Sequence, residues 1–234
     1  MIHWLATDQV ENFPPLNTAL LEPNGLLAVG GDLSPQRLIN AYRSGIFPWF
    51  NDEDPILWWS PNPRMVLFPN ELSISRSLHK LLKKHHYEVR TDASFREVMQ
   101  ACAGPRKTQA GTWITNEMID AYTTLHQMGV AHSVETWMNG VLVGGLYGVA
   151  LGKMFYGESM FSRVSDASKI AFVHLVKQLE IWGFEMIDCQ MKTQHLASLG
   201  AREISRNEFA LRLSKLIDIS DRSGTWHFDY TYPS

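Results

Sequence analysis

Val141-Leu142-Val143-Gly144-Gly145-Leu146-Tyr147-Gly148-Val149-Ala150 opens the stretch that decides the fold, and Met186-Ile187-Asp188-Cys189-Gln190 closes it. The opening run is β-branched and apolar and too short for a free-standing helix. It predicts a buried strand whose glycines lie where another backbone must come close. After the Leu151-Gly152-Lys153 turn, Phe155 to Phe161 reads as a second strand, with one acid, Glu158, among aromatic and methionine neighbours. Ile187-Asp188-Cys189-Gln190 reads as the end of a third strand. Strand side chains alternate, so Asp188 and Gln190 are expected on one face. An acid inside an apolar strand is costly unless it is paired or used. Glu158 and Asp188 together therefore form a site hypothesis.

The 234 residues suffice for one large domain or two unequal ones, and a 45% hydrophobic content permits a sizeable core. A net charge of -3 supplies no global field toward nucleic acid, so any such contact must come from a local patch. Two cysteines, Cys102 and Cys189, form no disulfide framework and suit a reducing cytosol, so a cytoplasmic location is expected. Met1-Ile2-His3-Trp4 lacks the basic and apolar regions of a signal peptide. No segment reaches the roughly 18 apolar residues of a membrane span, so no membrane partner is expected.

Residues 1–62 are rich in Pro and Trp and read as a small α+β unit, with a linker near Pro61-Asn62-Pro63 and a larger unit over 63–234. Ser34 predicts the N-cap of a helix from Pro35 to Ser44, stopped by Gly45. Phe47-Pro48-Trp49-Phe50 and Leu57-Trp58-Trp59 fit either a unit stapled by Trp packing or the aromatic wall of a cleft. The one basic cluster spans 72–86. Ile74, Leu78, Leu81 and Leu82 fall at helical spacing toward the core, with Arg76, Lys80, Lys83 and Lys84 on the other side. Such a face is usually plain solvation. Few acids interleave here, which raises the alternative of a surface that tracks phosphates. The His85-His86 pair has no partner at metal-ligand spacing, so no metal is expected.

Between these regions the pattern predicts a strand over 87–91, helices from Ser94 to Ala103 and Asn116 to Met128, and a strand from Ala131 to Met138 turned by Asn139-Gly140. Ser165 or Asp166 is expected to cap a helix from Ala167 to Trp182; a short helix near His195, a strand and a helix from Glu208 to Leu216 follow. The order predicts an α+β fold: a small N-terminal domain plus a larger domain resembling GNAT acyltransferases, with a mixed, mainly antiparallel sheet. GNAT enzymes place a Gly-rich loop before their central helix to cradle the pyrophosphate of coenzyme A. Here that place reads Ser162-Arg163-Val164-Ser165-Asp166-Ala167, without glycine, which disfavours a coenzyme A donor.

Taken together, the motifs resemble one family, the leucyl/phenylalanyl-tRNA–protein transferases. The resemblance covers nearly the whole chain. It rests on Glu22-Pro23-Asn24-Gly25-Leu26-Leu27, Gly30-Gly31-Asp32-Leu33-Ser34, Gly45-Ile46-Phe47-Pro48-Trp49-Phe50 and Trp58-Trp59-Ser60-Pro61. It continues in Gly111-Thr112-Trp113-Ile114-Thr115, Val143-Gly144-Gly145, Gly157-Glu158-Ser159-Met160-Phe161-Ser162, Ile187-Asp188-Cys189-Gln190 and Ala197-Ser198-Leu199-Gly200-Ala201. Each piece alone is weak; their order and joint presence are specific.

The resemblance implies transfer of Leu or Phe, less readily Met, from leucyl-tRNA or phenylalanyl-tRNA to proteins beginning with Arg or Lys, which marks them for degradation. It implies no cofactor, neither metal, ATP nor coenzyme, because the donor ester is already activated. The matching positions give a donor pocket from Trp49, Trp113, Leu146, Phe155, Met160, Leu175, Leu179 and Ile187. Leu175 and Leu179 stand where a family member has Phe, and ordinary core remains the alternative for the whole set. Asp188 and Gln190 match the catalytic pair, with Gln190 on the attacking amine and Asp188 orienting it; Glu158 is expected near the aminoacyl group or that amine. Arg76, Lys80, Lys83 and Lys84 match the tRNA-binding surface, and the terminal adenine is expected to stack on an aromatic such as Trp49. Two other classes stay open: a coenzyme A-dependent N-acyltransferase, and a noncatalytic binder of N-terminal degradation signals.

Overall fold

In the computed structural model, which describes residues 2–9, 13–104, 114–220 and 224–233, the chain forms two sheets. The first uses β1 (His3–Leu5), β2 (Leu26–Gly30), β3 (Phe47–Pro48) and β4 (Leu57–Trp59) in the order β1-β2-β4-β3, with α1 (Pro35–Arg43) between β2 and β3. Ser34 caps α1 by accepting from the Arg37 N–H, as the sequence predicts. Asn62 and Pro63 then lead into β5 (Arg64–Leu67), the first strand of the second sheet.

That sheet continues through α2 (Arg76–Leu82), β6 (Glu88–Thr91), α3 (Phe95–Ala103), α4 (Asn116–Gln127) and β7 (Ala131–Met138). It is completed by β8 (Val141–Leu151), β9 (Met154–Ser162), α5 (Ala167–Ile181), β10 (Met186–Gln190), α6 (Gln194–Ala197), β11 (Arg202–Ile204) and α7 (Arg206–Leu216). Its order is β11-β5-β10-β9-β8-β7-β6. The β7-β8-β9 meander is antiparallel, and Asn139 and Gly140 turn its first hairpin with φ of 51° and 73°. β9 and β10, joined by α5, are the parallel pair; the other described ladders of this sheet are antiparallel. This is the expected α+β architecture, with a mixed, mainly antiparallel larger sheet.

The glycines of β8 do what the sequence asks of them. A Cβ on Gly144 would lie 2.5 Å from the Ala167 Cβ and 2.8 Å from its carbonyl carbon, so only glycine lets the start of α5 close onto the sheet. The α5 cap differs from expectation. Asp166 sits at the cap position with φ 63° but makes no capping bond, and its carboxylate turns to Lys169 at 2.7 Å. The Ser162 hydroxyl, at the end of β9, accepts from the Ser168 N–H at 2.9 Å instead. Strand β5, hidden by its short RMVL sequence after two prolines, is also unanticipated, as are the four short strands of the first sheet.

Aromatic density in the N-terminal unit serves both roles considered above. Trp58 is fully buried, donates to the Gly30 carbonyl at 2.9 Å and meets Phe13 edge-on. Trp49 is 39% exposed and packs against Trp59, whose indole donates to the Trp49 carbonyl. One apolar core runs through both sheets, from Leu27, Tyr42 and Phe47 to Val66, Tyr122 and Tyr156.

Helix α2 is shorter than the basic cluster. Ser75 caps it, Leu78 and Leu82 are buried, Lys83 is its C-cap, and Arg76, Lys80, Lys83 and Lys84 are exposed. Its approach is pinned to the end of α6: the Ser73 N–H donates to the Leu199 carbonyl at 2.9 Å. Residues 224–233 form a strap over α5. Gln178 Oε1 accepts from the Asp229 and Tyr230 N–H groups, each at 2.8 Å, and the Tyr232 hydroxyl meets His79 of α2. Trp226, fully buried, stacks on His132 with ring centres 3.8 Å apart and lies 5.9 Å from Phe155.

Candidate active site

Pairing between β9 and β10 runs Met154–Met186, Phe155–Ile187 and Tyr156–Asp188, then stops. Both strands take in an extra residue near this point. Tyr147 and Gly148 of β8 face Ser159 and Gly157, which leaves Glu158 as the bulge. Val66 and Met65 of β5 face Asp188 and Gln190, which leaves Cys189 as the bulge. Bulges re-aim side chains and end pairing. β10 is therefore not the plainly alternating strand expected there. Gln190 takes φ 61°, a left-handed conformation that costs a non-glycine residue of order 1–2 kcal/mol. From it, Gln190 Nε2 donates to Glu158 Oε1 at 2.8 Å, across the gap between the strands.

Around this bridge opens a cleft of about 510 Å3, lined by Trp49, Leu146, Phe155, Met160, Leu175 and Ile187 together with Glu158 and Gln190. This volume falls in the usual range of small-molecule pockets. Phe172 of α5 also lines it, as do Lys192, Thr193 and His195 at one edge. Leu179 is fully buried and packs in the core rather than in the lining. Trp113 lies outside the described residues.

Glu158 is 8% exposed. Burial out of water pushes its carboxyl up to about 8; the Tyr42 hydroxyl opposes that rise, the nearby Asp188 charge adds to it, and Tyr122 and Gln190 oppose it. The Tyr122 hydroxyl donates to Glu158 Oε2 at 3.3 Å and also meets the Tyr42 hydroxyl. Burial first, and then the Glu158 charge, raise both phenols well above their ordinary range, so both stay protonated as hydrogen-bond donors.

Asp188 does not reach the cleft. It is fully buried, with its two oxygens 2.8 and 2.6 Å from Arg64 Nε and Nη2. It meets Gln190 through the backbone, accepting that residue's N–H at 2.9 Å. Arg64, Tyr42, Tyr122 and Phe172 are the participants that sequence reasoning missed. A buried Asp signals a cation partner, yet nothing in the sequence selects Arg64 among 21 lysines and arginines. The phenols stand on α1 and α4, whose meeting is a tertiary fact.

A cleft with a carboxyl and an amide facing each other across the split end of a sheet is suited to group transfer, and the chain is a transferase by sequence comparison. Residues 66–214 match the family model for leucyl/phenylalanyl-tRNA protein transferase, and residues 31–62 match that of its N-terminal domain. The chain belongs to this family. A leucyl/phenylalanyl-tRNA–protein transferase of Nitrosospira multiformis is 71% identical over 98% of this chain and 98% of that protein. One of Chromobacterium violaceum is 58% identical over the full length of both. Among solved structures, a GCN5-related N-acetyltransferase from Kribbella flavida is a remote likeness, with a TM-score of 0.38 and 14% identity over 69% of this chain and 57% of that one. Among the described residues no helix is long and apolar enough to cross a membrane.

Proposed function

We propose that this chain moves Leu or Phe, less readily Met, from aminoacyl-tRNA to the α-amine of proteins whose first residue is Arg or Lys, marking them for N-end-rule degradation in the cytoplasm. The observation that carries this is the Glu158–Gln190 bridge at the mouth of an apolar cleft. The donor side chain enters between Leu146, Phe155, Leu175 and Ile187, and Met160 and Trp49 close over the ester and the 3′ adenosine. Residues 1–62 thus supply one wall, and residues 63–234 supply the floor and the polar groups.

The acceptor arrives as an α-ammonium with an ordinary pKa of about 8. Glu158, held up to about 8, is matched to it, and its ionised fraction takes that proton at little cost. The Gln190 amide orients the neutral amine, and Asp188 holds Gln190 through its backbone. Nitrogen then bonds to the ester carbonyl carbon and the bond to the 3′ oxygen breaks. That oxygen leaves with the nitrogen's remaining surplus proton, and the tRNA departs. The exposed cations Arg76, Lys80, Lys83 and Lys84 track the acceptor-stem phosphates, on a helix whose approach is bonded through Ser73 to Leu199 just beyond α6.

The test is incubation with radiolabelled leucyl-tRNA and a protein bearing N-terminal Arg. Label is expected on that N-terminus and absent when the first residue is Ala. Charged tRNA recovered with no labelled protein overturns the proposal.

A further inference from the structure

Arg64 takes no part in the transfer step described above, yet both walls of the cleft are tied to it. It is 1% exposed, and its fork meets both oxygens of Asp188 at 2.8 and 2.6 Å. Its remaining nitrogen donates to the Gly45 carbonyl at 3.2 Å. The guanidinium carbon lies 4.7 Å from the Phe47 ring centre and 4.6 Å from that of Phe209. A buried ion pair is a weak source of stability, because removing two charges from water offsets their attraction. What the pair supplies is geometry. Asp188 Oδ1 also accepts the Gln190 N–H at 2.9 Å, where the strand shifts register and Gln190 turns to φ 61°. Gln190 meets Glu158 from that backbone. On its other side, Arg64 holds Gly45 and Phe47, and Phe47, Pro48 and Trp49 line the cleft.

We infer that Arg64 is a positioning residue of the transfer reaction: through Asp188 it fixes the Gln190 amide, and through Gly45 and Phe47 it fixes the Trp49 wall against that amide. The inference rests on the function proposed above. Lysine cannot take the place of Arg64, because its ammonium is a point charge that cannot fork across a carboxylate.

The test is steady-state kinetics of Arg64→Lys with leucyl-tRNA and a peptide beginning with Arg, alongside a melting curve. A misplacement of the amide by about 1 Å should lower kcat by about 10²-fold, with a smaller rise in KM for charged tRNA from the loosened Trp49 wall. Phe209→Leu, which removes one ring from the guanidinium sandwich outside the cleft, should lower kcat in the same direction and serves if Arg64→Lys does not fold. Each substitution is repeated in a Gln190→Ala background, where little further loss is expected because the group being positioned is gone. Wild-type kcat in Arg64→Lys, or losses that multiply fully in the Gln190→Ala background, overturns the inference and leaves the proposed function standing. Full transfer by Gln190→Ala alone overturns the role of the amide and the inference together.

Discussion

Replacing Glu158 with Gln separates the cost of a buried carboxyl from its use. The folded protein holds this group up to about 8, against an ordinary value of 4.5 that it regains when the chain unfolds. Each unit of difference is worth about 1.4 kcal/mol, so the full gap is an effect of a few kcal/mol. The folded pKa lies above the unfolded one. The stabilising contribution is therefore complete below about pH 4.5 and drains away as pH rises to about 8, because the unfolded chain ionises first. Gln keeps the shape and never ionises, and its single oxygen can accept from Tyr122 or from Gln190, which in Glu158 reach different oxygens. The variant should melt close to wild type at pH 5 and above it at pH 8.5. For a chain of this size a gain of ~3 kcal/mol corresponds to roughly 6–12 °C. Transfer should fall by about 10²-fold or more at pH 8.5, where wild-type Glu158 is ionised and can accept a proton, and differ far less at pH 5, where the wild-type carboxyl is already protonated. Calorimetry at the two pH values, with transfer measured on the same samples, decides it. An equal melting difference at pH 5 and 8.5, or a less stable variant at pH 8.5, would refute the reasoning.

Three further outcomes are expected. Lys80→Glu with Lys84→Glu should weaken tRNA binding and flatten the slope of log affinity against log salt by about 1–2, measured by filter binding; unchanged affinity would make α2 a solvated face only. Leu175→Phe narrows the cleft and should shift competition between leucyl-tRNA and phenylalanyl-tRNA toward leucine by about tenfold, and an unshifted ratio would show that Leu175 does not touch the donor. Trp226→Ala empties the stack between His132 and Phe155 and should cost about 3–5 kcal/mol in denaturant unfolding; a wild-type midpoint would show that the strap is not part of the folded core.

The elements that could be read from sequence are those whose signals are local. Asn139-Gly140 fixes its hairpin because two positive φ values are what that dipeptide tolerates. Ser34 and Thr115 cap the helices they precede because a hydroxyl one step ahead of an apolar period has few other uses. The α5 cap escaped because Ser162 reaches it from the preceding strand, so no adjacent residue carries the signal. Arg64–Leu67 escaped because four residues after two prolines read equally well as linker. The site was legible as a set of residue types around Glu158, Asp188 and Gln190, and not as an arrangement. The partition of labour, with Glu158 and Gln190 in the cleft and Asp188 beneath it, depends on bulges that leave no mark in composition or period.

Those bulges account for where the cleft lies. In a parallel pair joined by a helix, space for a ligand opens beyond the carboxyl ends of the strands. β9 and β10 are such a pair, inserted between antiparallel neighbours that hold their outer edges in register. Opening them takes length on both inner strands, and Glu158 and Cys189 supply it, one residue each. The first bulge depends on Gly148. A Cβ there would stand 2.2 Å from the Tyr156 carbonyl oxygen and 2.5 Å from the Phe155 ring. Even alanine would drive β8 away from β9, displacing Phe155 from the floor of the cleft and the backbone that aims Glu158. A glycine that weakens a strand by the usual propensity rules is here the condition for its neighbour to carry a carboxyl into an apolar cleft.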